Sequence, residues 1–302
     1  MNLLYLALIS FIFIASSALS LSAPLSSFLP KQIVRVQKAF PDVPILRGEA
    51  SFPILSGQAA LVVDISSGVS LYEKDPDKRL LPASTTKIIT ALVALDNYSL
   101  GDILKVGQIK IDGQKMGLRY SEEISVENLL YGLLIYSAND AAEVLAQGYM
   151  GGRETFVDEM NQKAKDLHLE NSLFSNPSGL DGNEHFTTAR DLLTVSEYAM
   201  KNPEFAKIVS TKEKTIKSVD GKISHKLVNI NELLGKVEGV LGVKTGWTEN
   251  ARENLVTYIE RDSHKVMLVL LGSQDRFGET KELIDWIFNN YSWEEVKIPY
   301  SP

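Results

Sequence analysis

A chain of 302 residues with 44% hydrophobic and 23% charged side chains is ordinary globular material, enough for one large domain or two small ones, which excludes disorder as its main state. The formal net charge of −7 argues against a nucleic-acid surface, and the absence of cysteine removes disulfides, thiolate metal sites and cysteine nucleophiles together. The four histidines, His168, His185, His225 and His264, show neither metal-ligand spacing nor a HExxH pattern; each reads as a lone surface side chain, and no metal or other cofactor is called for.

The first thirty residues carry no charged side chain. MNLLYLALISFIFIASSALSLSA is apolar for long enough to be a secretory segment and approaches the length of a membrane span, with small residues offering cleavage after Ser20 or Ala23. Residues 1–23 are therefore expected to be a signal peptide, with an uncleaved N-terminal anchor and membrane association as the alternative. Lys31, Arg35 and Lys38 follow the run rather than precede it, the wrong order for a positive-inside anchor, and no cysteine follows for lipid attachment. Residues 24–50 hold Pro24, Pro30, Pro41 and Pro44 without a sustained period and read as a linker.

QAALVVDIS and VSLYEKD, on either side of the turn at Gly68, predict a strand pair. Pro82 ends the extended segment, and TTKIITALVALDN continues as a helix with Ile88, Leu92 and Leu95 on one stripe. From about 123 to 205 the chain is mostly helical. VENLLYGLLIYSANDAAEVLAQGYM opens after Ser125, is apolar on almost every side and breaks at the polar SAND, so it belongs in a core. Phe156, Met160, Ala164 and Leu167 form a further stripe, and TARDLLTVSEYAMKN runs to a stop at Pro203. The last third turns to strands, GVLGVKTGW, NLVTYIER and KVMLVLLG, followed by the helix ETKELIDWIFNN. Strands at both ends around a helical middle predict an α/β (α+β) fold: one antiparallel sheet built from both chain ends, with helices packed on it.

Three polar clusters stand out. Ser84 and Lys87 are three apart at a helix start and share a face, so the amine can reach the hydroxyl. A serine needs a base, and a lysine can be that base only if burial or a neighbouring cation makes it neutral; the apolar Ile88, Ile89 and Leu92 supply burial. The second cluster is SAND, Ser137 to Asp140, and the third is VKTGW, where Lys244 and Thr245 precede Gly246 in a strand. Each alone has a bland reading: a serine cap with a solvated lysine, a structural polar network, an edge-strand lysine with a turn glycine. Together, SxxK, SxN and KTG each occur once, in that order, at a helix start, a helix break and a strand.

With those motifs in place, the chain resembles the active-site serine penicillin-binding proteins and serine β-lactamases, and most closely the low-molecular-mass D-alanyl-D-alanine carboxypeptidases. The resemblance covers most of residues 55 to 290 and is carried also by FVDEMNQKAKDLHLENSLFSNPSGLDG, TTARDL and LGSQDRFGETKELIDWIF. It implies a β-lactamase/transpeptidase-like fold with a catalytic domain over 51–292 and a short tail over 293–302. It implies that Ser84 attacks the bond between the two terminal D-alanines of a peptidoglycan stem pentapeptide, with Lys87 as base, and that water completes the cycle. Ser137 would relay a proton to the leaving amine, and Asn139 would bind the substrate backbone and position Lys87. Lys244, as a fixed positive charge, and Thr245 would hold the terminal carboxylate. The backbone amides of Ser84 and Trp247 would form the oxyanion hole, with Gly246 allowing close approach. β-Lactam antibiotics would be covalent inhibitors, and the protein would be exported to the cell-wall side, acting in peptidoglycan synthesis and cell shape.

Departures from the family pattern are Arg252 and Glu253, where a glycine and an aromatic are common, and Ile230, at a position that is basic in some members. A D,D-endopeptidase of the same family uses the same chemistry and stays open. A class A type β-lactamase would need an ExxLN loop, and none follows SAND. A Ser/His/Asp hydrolase would need a GxSxG elbow, which is absent. Outside enzymes, the alternative is a catalytically idle peptidoglycan-binding protein.

Overall fold

The computed structural model describes residues 40–48 and 51–296; the segment 1–23, expected to be a signal or anchor, lies outside the described residues. Strand β1 (Val43–Leu46) precedes the hairpin of β2 (Ala59–Asp64) and β3 (Ser70–Lys74), whose turn runs through Gly68 at φ +73°, a left-handed position that glycine takes without steric cost. A 3-10 turn over Ala83–Thr86 leads into α1 (Lys87–Asn97). The expected stripe on this helix understates its burial, because every residue from Lys87 to Ala94 is buried.

A short ribbon of β4 (Ile103–Lys105) and β5 (Glu123–Ser125) brings the chain to α2 (Val126–Leu134). Ser125 caps α2, its hydroxyl accepting the amide of Asn128, and the helix stops just before SAND. The chain resumes as α3 (Asn139–Gln147), then α4 (Gly152–Asp166), which buries Phe156, Met160 and Ala164 on one face as the spacing predicts. Thr188 caps α5 (Ala189–Met200). Pro203 does more than stop that helix: it is the first residue of α6 (Pro203–Val209), where its missing N–H is no loss, and Asn202 caps the new start. After the hairpin of β6 (Glu213–Lys217) and β7 (Ser224–Val228) come β8 (Val240–Thr248), β9 (Arg252–Arg261), β10 (His264–Ser273), α7 (Arg276–Asn290) and β11 (Tyr291–Glu294).

Five strands form one antiparallel sheet in the order β3-β2-β10-β9-β8, so the early hairpin and the late strands meet at the β2–β10 pair. Two-residue periodicity divides this sheet between two cores. Leu61, Met267 and Val269 face the helical middle, whereas Val62, Leu268 and Leu270 face Leu283, Ile284 and Ile287 of α7. Strand β10 is therefore apolar on both faces. The segment expected to be a linker contributes β1, which pairs with β11 from the expected tail boundary. Four residues interrupted by a proline carry no readable period, and the pairing partner is some 250 residues away in sequence, so the ribbon is a product of tertiary contact. Among the described residues, no helix is long and apolar enough to cross a membrane.

The sheet holds the 3-10 turn through Asn254, fully buried on β9. Its amide donates to the carbonyls of Leu81 (2.9 Å) and Pro82 (3.0 Å), while its oxygen accepts the amide of Gly272 (2.8 Å) at the β10 bulge. Asn254→Ala strips partners from three buried backbone groups and should lower unfolding free energy by about 2–4 kcal/mol, read by denaturant titration with an unchanged m-value.

Candidate active site

Lys87 opens α1 with 0% exposure. Its Nζ lies 2.9 Å from Ser84 Oγ and 2.7 Å from Asn139 Oδ1, and it also donates to the carbonyl of Ser178. Burial draws its pKa down to about 7, against the opposing pull of Asp140. Two of the three neighbours can only accept, whereas the Ser84 hydroxyl can donate. A neutral amine has two N–H groups and one lone pair, so it satisfies Asn139 and Ser178 and leaves its lone pair for the Ser84 proton. No side-chain cap bond forms at either the 3-10 turn or α1, which disposes of the simple capping role for Ser84.

The SAND break brings Asn139 and Ser137 to the same place. Asn139 is oriented by its own donors, Nδ2 to the carbonyl of Asp112 (2.7 Å) and backbone N–H to that of Gln114 (2.7 Å), which leaves Oδ1 for Lys87. Next to it, buried Asp140 accepts the amides of Met116 (3.0 Å), Gly117 (2.9 Å) and Leu118 (3.0 Å). Residues 112–118 are thus clamped against the start of α3. Ser137 sits at φ +62°, an uncommon conformation for a residue with a Cβ.

From β8, Lys244 is also buried, and its Nζ donates to Ser137 Oγ (2.8 Å) and to the carbonyl of Thr245 (2.9 Å). Burial lowers its pKa well below the ordinary lysine value, and the charges of Lys87 and Arg276 push it the same way. The fixed positive charge expected on Lys244 is thus opposed by its burial. Gly246 has a steric reason to be glycine. A Cβ there would stand 3.0 Å from the carbonyl of Pro82 and 3.2 Å from the amide nitrogen of Ser84. Ser84, Ser137, Asn139, Thr245, Gly246 and the exposed Trp247 all line one cleft of about 1050 Å³.

Two contributors, Arg276 and Asn176, were not singled out from sequence. Arg276, at the start of α7, lines the cleft and donates to the carbonyl of Gly246 (3.0 Å), while its buried Nε has no partner among the described residues. Glu253, one of the departures, accepts the backbone amide of Arg276 (2.9 Å), and Arg252 occupies φ +59°, where glycine fits more easily. Ile230 lines the cleft directly. Opposite β8, Asn176 Oδ1 gathers the amides of Ser178 (3.2 Å), Gly179 (2.7 Å) and Leu180 (3.2 Å), and so presents the Ser178 carbonyl to Lys87. The motif SNPSGLDG was visible, but a role exerted through a backbone carbonyl has no side-chain signature.

Two histidines expected at the surface are buried. His185 Nδ1 accepts the amide of Ser175 (2.9 Å), so its other nitrogen carries the proton and donates to Thr86 Oγ1 (2.9 Å). Burial holds its pKa down near 4, with Asp181 opposing and Lys87 adding to the shift. His225 lies between the carbonyl of Met116 (3.1 Å) and Glu122 (2.7 Å). Both are held by partners distant in sequence, which spacing alone does not reveal. Neither is hydrogen-bonded to Ser84.

A family profile described as D-alanyl-D-alanine carboxypeptidase matches residues 48–275. The chain is similar to D-alanyl-D-alanine carboxypeptidase DacF of Bacillus subtilis, at 31% identity over 78% of this chain and 62% of that relative. It is similar also to D-alanyl-D-alanine carboxypeptidase DacB2 of Mycobacterium tuberculosis, at 34% identity over 79% of this chain and 85% of the relative. The chain thus spans under two thirds of the first relative and most of the second. Proteins named D-alanyl-D-alanine endopeptidase, from Pseudomonas aeruginosa and Escherichia coli, match as well. Among solved structures, the Streptomyces K15 DD-transpeptidase superposes with a TM-score of 0.75 at 29% identity, covering 80% of this chain and 100% of that one.

Gly179 packs hardest against the serine. At φ +85°, a Cβ there would fall 1.9 Å from the carbonyl oxygen of Ala83. Gly179→Ala should cost at least about 2 kcal/mol of stability by thermal melting, more than Gly246→Ala, because backbone strain and overlap with fixed backbone add.

Proposed function

The chain belongs to the D-alanyl-D-alanine carboxypeptidase family, and we propose that it removes the terminal D-alanine from peptidoglycan stem pentapeptides through an acyl-enzyme on Ser84. The observation that carries this reading is the Lys87 amine, buried, drawn to about pH 7, and 2.9 Å from the Ser84 hydroxyl with its other two neighbours obliged to accept.

In the first step Lys87 takes the Ser84 proton as Oγ attacks the carbonyl of the penultimate D-alanine. The negative charge that develops on that carbonyl oxygen is met by the amides of Ser84 and Trp247, each donor in such a hole being worth roughly 3–4 kcal/mol. The terminal carboxylate lies against Thr245 and Lys244. Arg276, beside Gly246 with a spare N–H, adds a second cation there. Pairing with the carboxylate raises the Lys244 pKa back toward charge, so this cation is completed by the substrate itself. Ser137, bonded to Lys244, stands on the leaving-group side and passes its hydroxyl proton to the departing amine as the C–N bond breaks, regaining a proton from the Lys87 ammonium. Lys87, neutral again, takes a proton from the water that adds to the ester and returns it to Ser84 Oγ as the acyl C–O bond breaks and the shortened peptide leaves.

The D,D-endopeptidase reading is kept alive by the cleft itself, which at about 1050 Å³ has room for a leaving group larger than D-alanine beside Ile230, Glu232 and Phe277. The leaving-group preference is thus set by this side of the cleft rather than by the chemistry. β-Lactams, which carry a carboxylate near a reactive carbonyl, fit the same scheme as covalent inhibitors whose acyl group is released slowly. Residues 1–23 fit export to the side of the membrane where peptidoglycan lies.

Incubation with a labelled penicillin should give a covalent adduct, and incubation with a stem pentapeptide should give one D-alanine, both lost in Ser84→Ala; labelling that persisted in the variant would refute the assignment of the nucleophile. Because only neutral Lys87 can act as base, the second-order acylation constant should climb with pH through an apparent pKa near 7 and fall about tenfold for each pH unit below it. A flat profile between pH 5 and 8, measured by stopped mixing with penicillin, would contradict the base assignment.

A further inference from the structure

Among the described residues, the lining of the cleft carries one cation, Arg276 beside Gly246, and four carboxylates, Asp112, Asp181, Glu232 and Glu249. Asp181 is the organised member of that group. Its Oδ1 accepts the hydroxyl of Thr248 (2.7 Å) on β8 and its Oδ2 accepts Nδ2 of Asn250 (2.9 Å) in the following turn, so the carboxylate spans from the 176–181 loop to the sheet edge. Both donors are neutral, and each oxygen retains a lone pair for a further donor.

The direction of a bound peptide along β8 follows from the functional reading above, on which this inference rests. The terminal carboxylate lies at Lys244 and Thr245, and the carbonyl under attack at Trp247. A strand advances roughly 3.3 Å per residue, so the residue just before the two D-alanines passes Thr248 and meets Asp181. We propose that Asp181 is a specificity-determining residue that pairs with a primary ammonium on the side chain of the substrate residue immediately preceding D-alanyl-D-alanine. The chemical class selected is a stem peptide with a free amine at that position; acylation of the amine removes the charge and the preference. Thr248 and Asn250 hold the carboxylate still, so that it meets the amine without having to reorganise.

The test compares two tripeptides, Nα-acetyl-L-lysyl-D-alanyl-D-alanine with its side-chain amine free and the same peptide with that amine acetylated, by kcat/KM for D-alanine release from the full-length protein. For a partly exposed ion pair the expected preference for the free amine is roughly twofold to fivefold, shrinking as salt is added. Asp181→Asn should bring the ratio close to one, and Asp181→Glu, which keeps the charge, should retain it. Should Asp181→Asn not fold, Thr248→Val gives the same comparison, because a carboxylate released from its brace should discriminate less. A ratio near one in the unaltered protein, or a ratio kept in Asp181→Asn because both peptides slow equally, overturns the proposal and leaves Asp181 a brace between the cleft walls. Release of D-alanine from neither peptide, together with no penicillin adduct, overturns the carboxypeptidase reading itself, a separate result.

Discussion

A primary amine cannot be taken out of water without consequence, and much of the fold is arranged around the one at Lys87. Either it stays neutral or every one of its hydrogens finds an acceptor. The site provides for both states. Asn139 Oδ1 and the Ser178 carbonyl accept from the neutral amine, and Ser84 Oγ completes a third acceptor when the amine becomes an ammonium. These contacts come from three separate stretches of chain, and each stretch is itself held: Asn139 by the 112–118 loop, Ser178 by Asn176, and the turn before α1 by Asn254. A proton can therefore move between the serine and the lysine without requiring the surroundings to repack.

Holding those stretches so close requires unfavourable backbone at two points. Ala83 adopts φ +49° immediately before Ser84, and Ser137 adopts φ +62°. Such conformations cost on the order of 1–3 kcal/mol each and persist because the surroundings over-determine them. Around Ala83 the constraints are identifiable: Gly179 presses on its carbonyl, Gly246 approaches the Ser84 amide, and Asn254 holds the Pro82 carbonyl. The strain therefore lies next to Ser84 and the Ser137–Lys244 pair, and the well-packed sheet and helices elsewhere supply the stability that tolerates it.

The parts of this arrangement that were legible in the sequence are those written by local periodicity or by side-chain chemistry. Continuous β-branched and apolar runs in QAALVVDIS and KVMLVLLG gave β2 and β10, and apolar runs interrupted by SAND gave α2 and α3. Ser84, Lys87, Ser137, Asn139, Lys244, Thr245, Gly246 and Trp247 were each named from motif context, and they do converge on one cleft. What escaped was decided by contact at a distance. Strand β1 has no period of its own and exists through β11. His185 and His225 look like scattered surface side chains until partners 99 and 103 residues away are brought to them. Arg276 and Ser178 act through a position on α7 and through a main-chain carbonyl, neither of which leaves a pattern in residue order. Lys244 was expected to carry a fixed charge because its motif suggested an anion partner, and no pattern in residue order discloses the burial that opposes that charge.

The ribbon of β1 and β11 places Val43 opposite Glu294, so the first and last strands among the described residues are hydrogen-bonded neighbours. In a chain trimmed to 43–294, a few residues of flexible peptide could bridge them, converting a linear polymer into a ring whose interior contacts are unchanged. Order along such a ring would be arbitrary. A permuted chain opened at an exposed turn, for instance near Asp262 and Ser263, would still be able to assemble the same cleft, because what the architecture demands is adjacency in space and not any particular beginning.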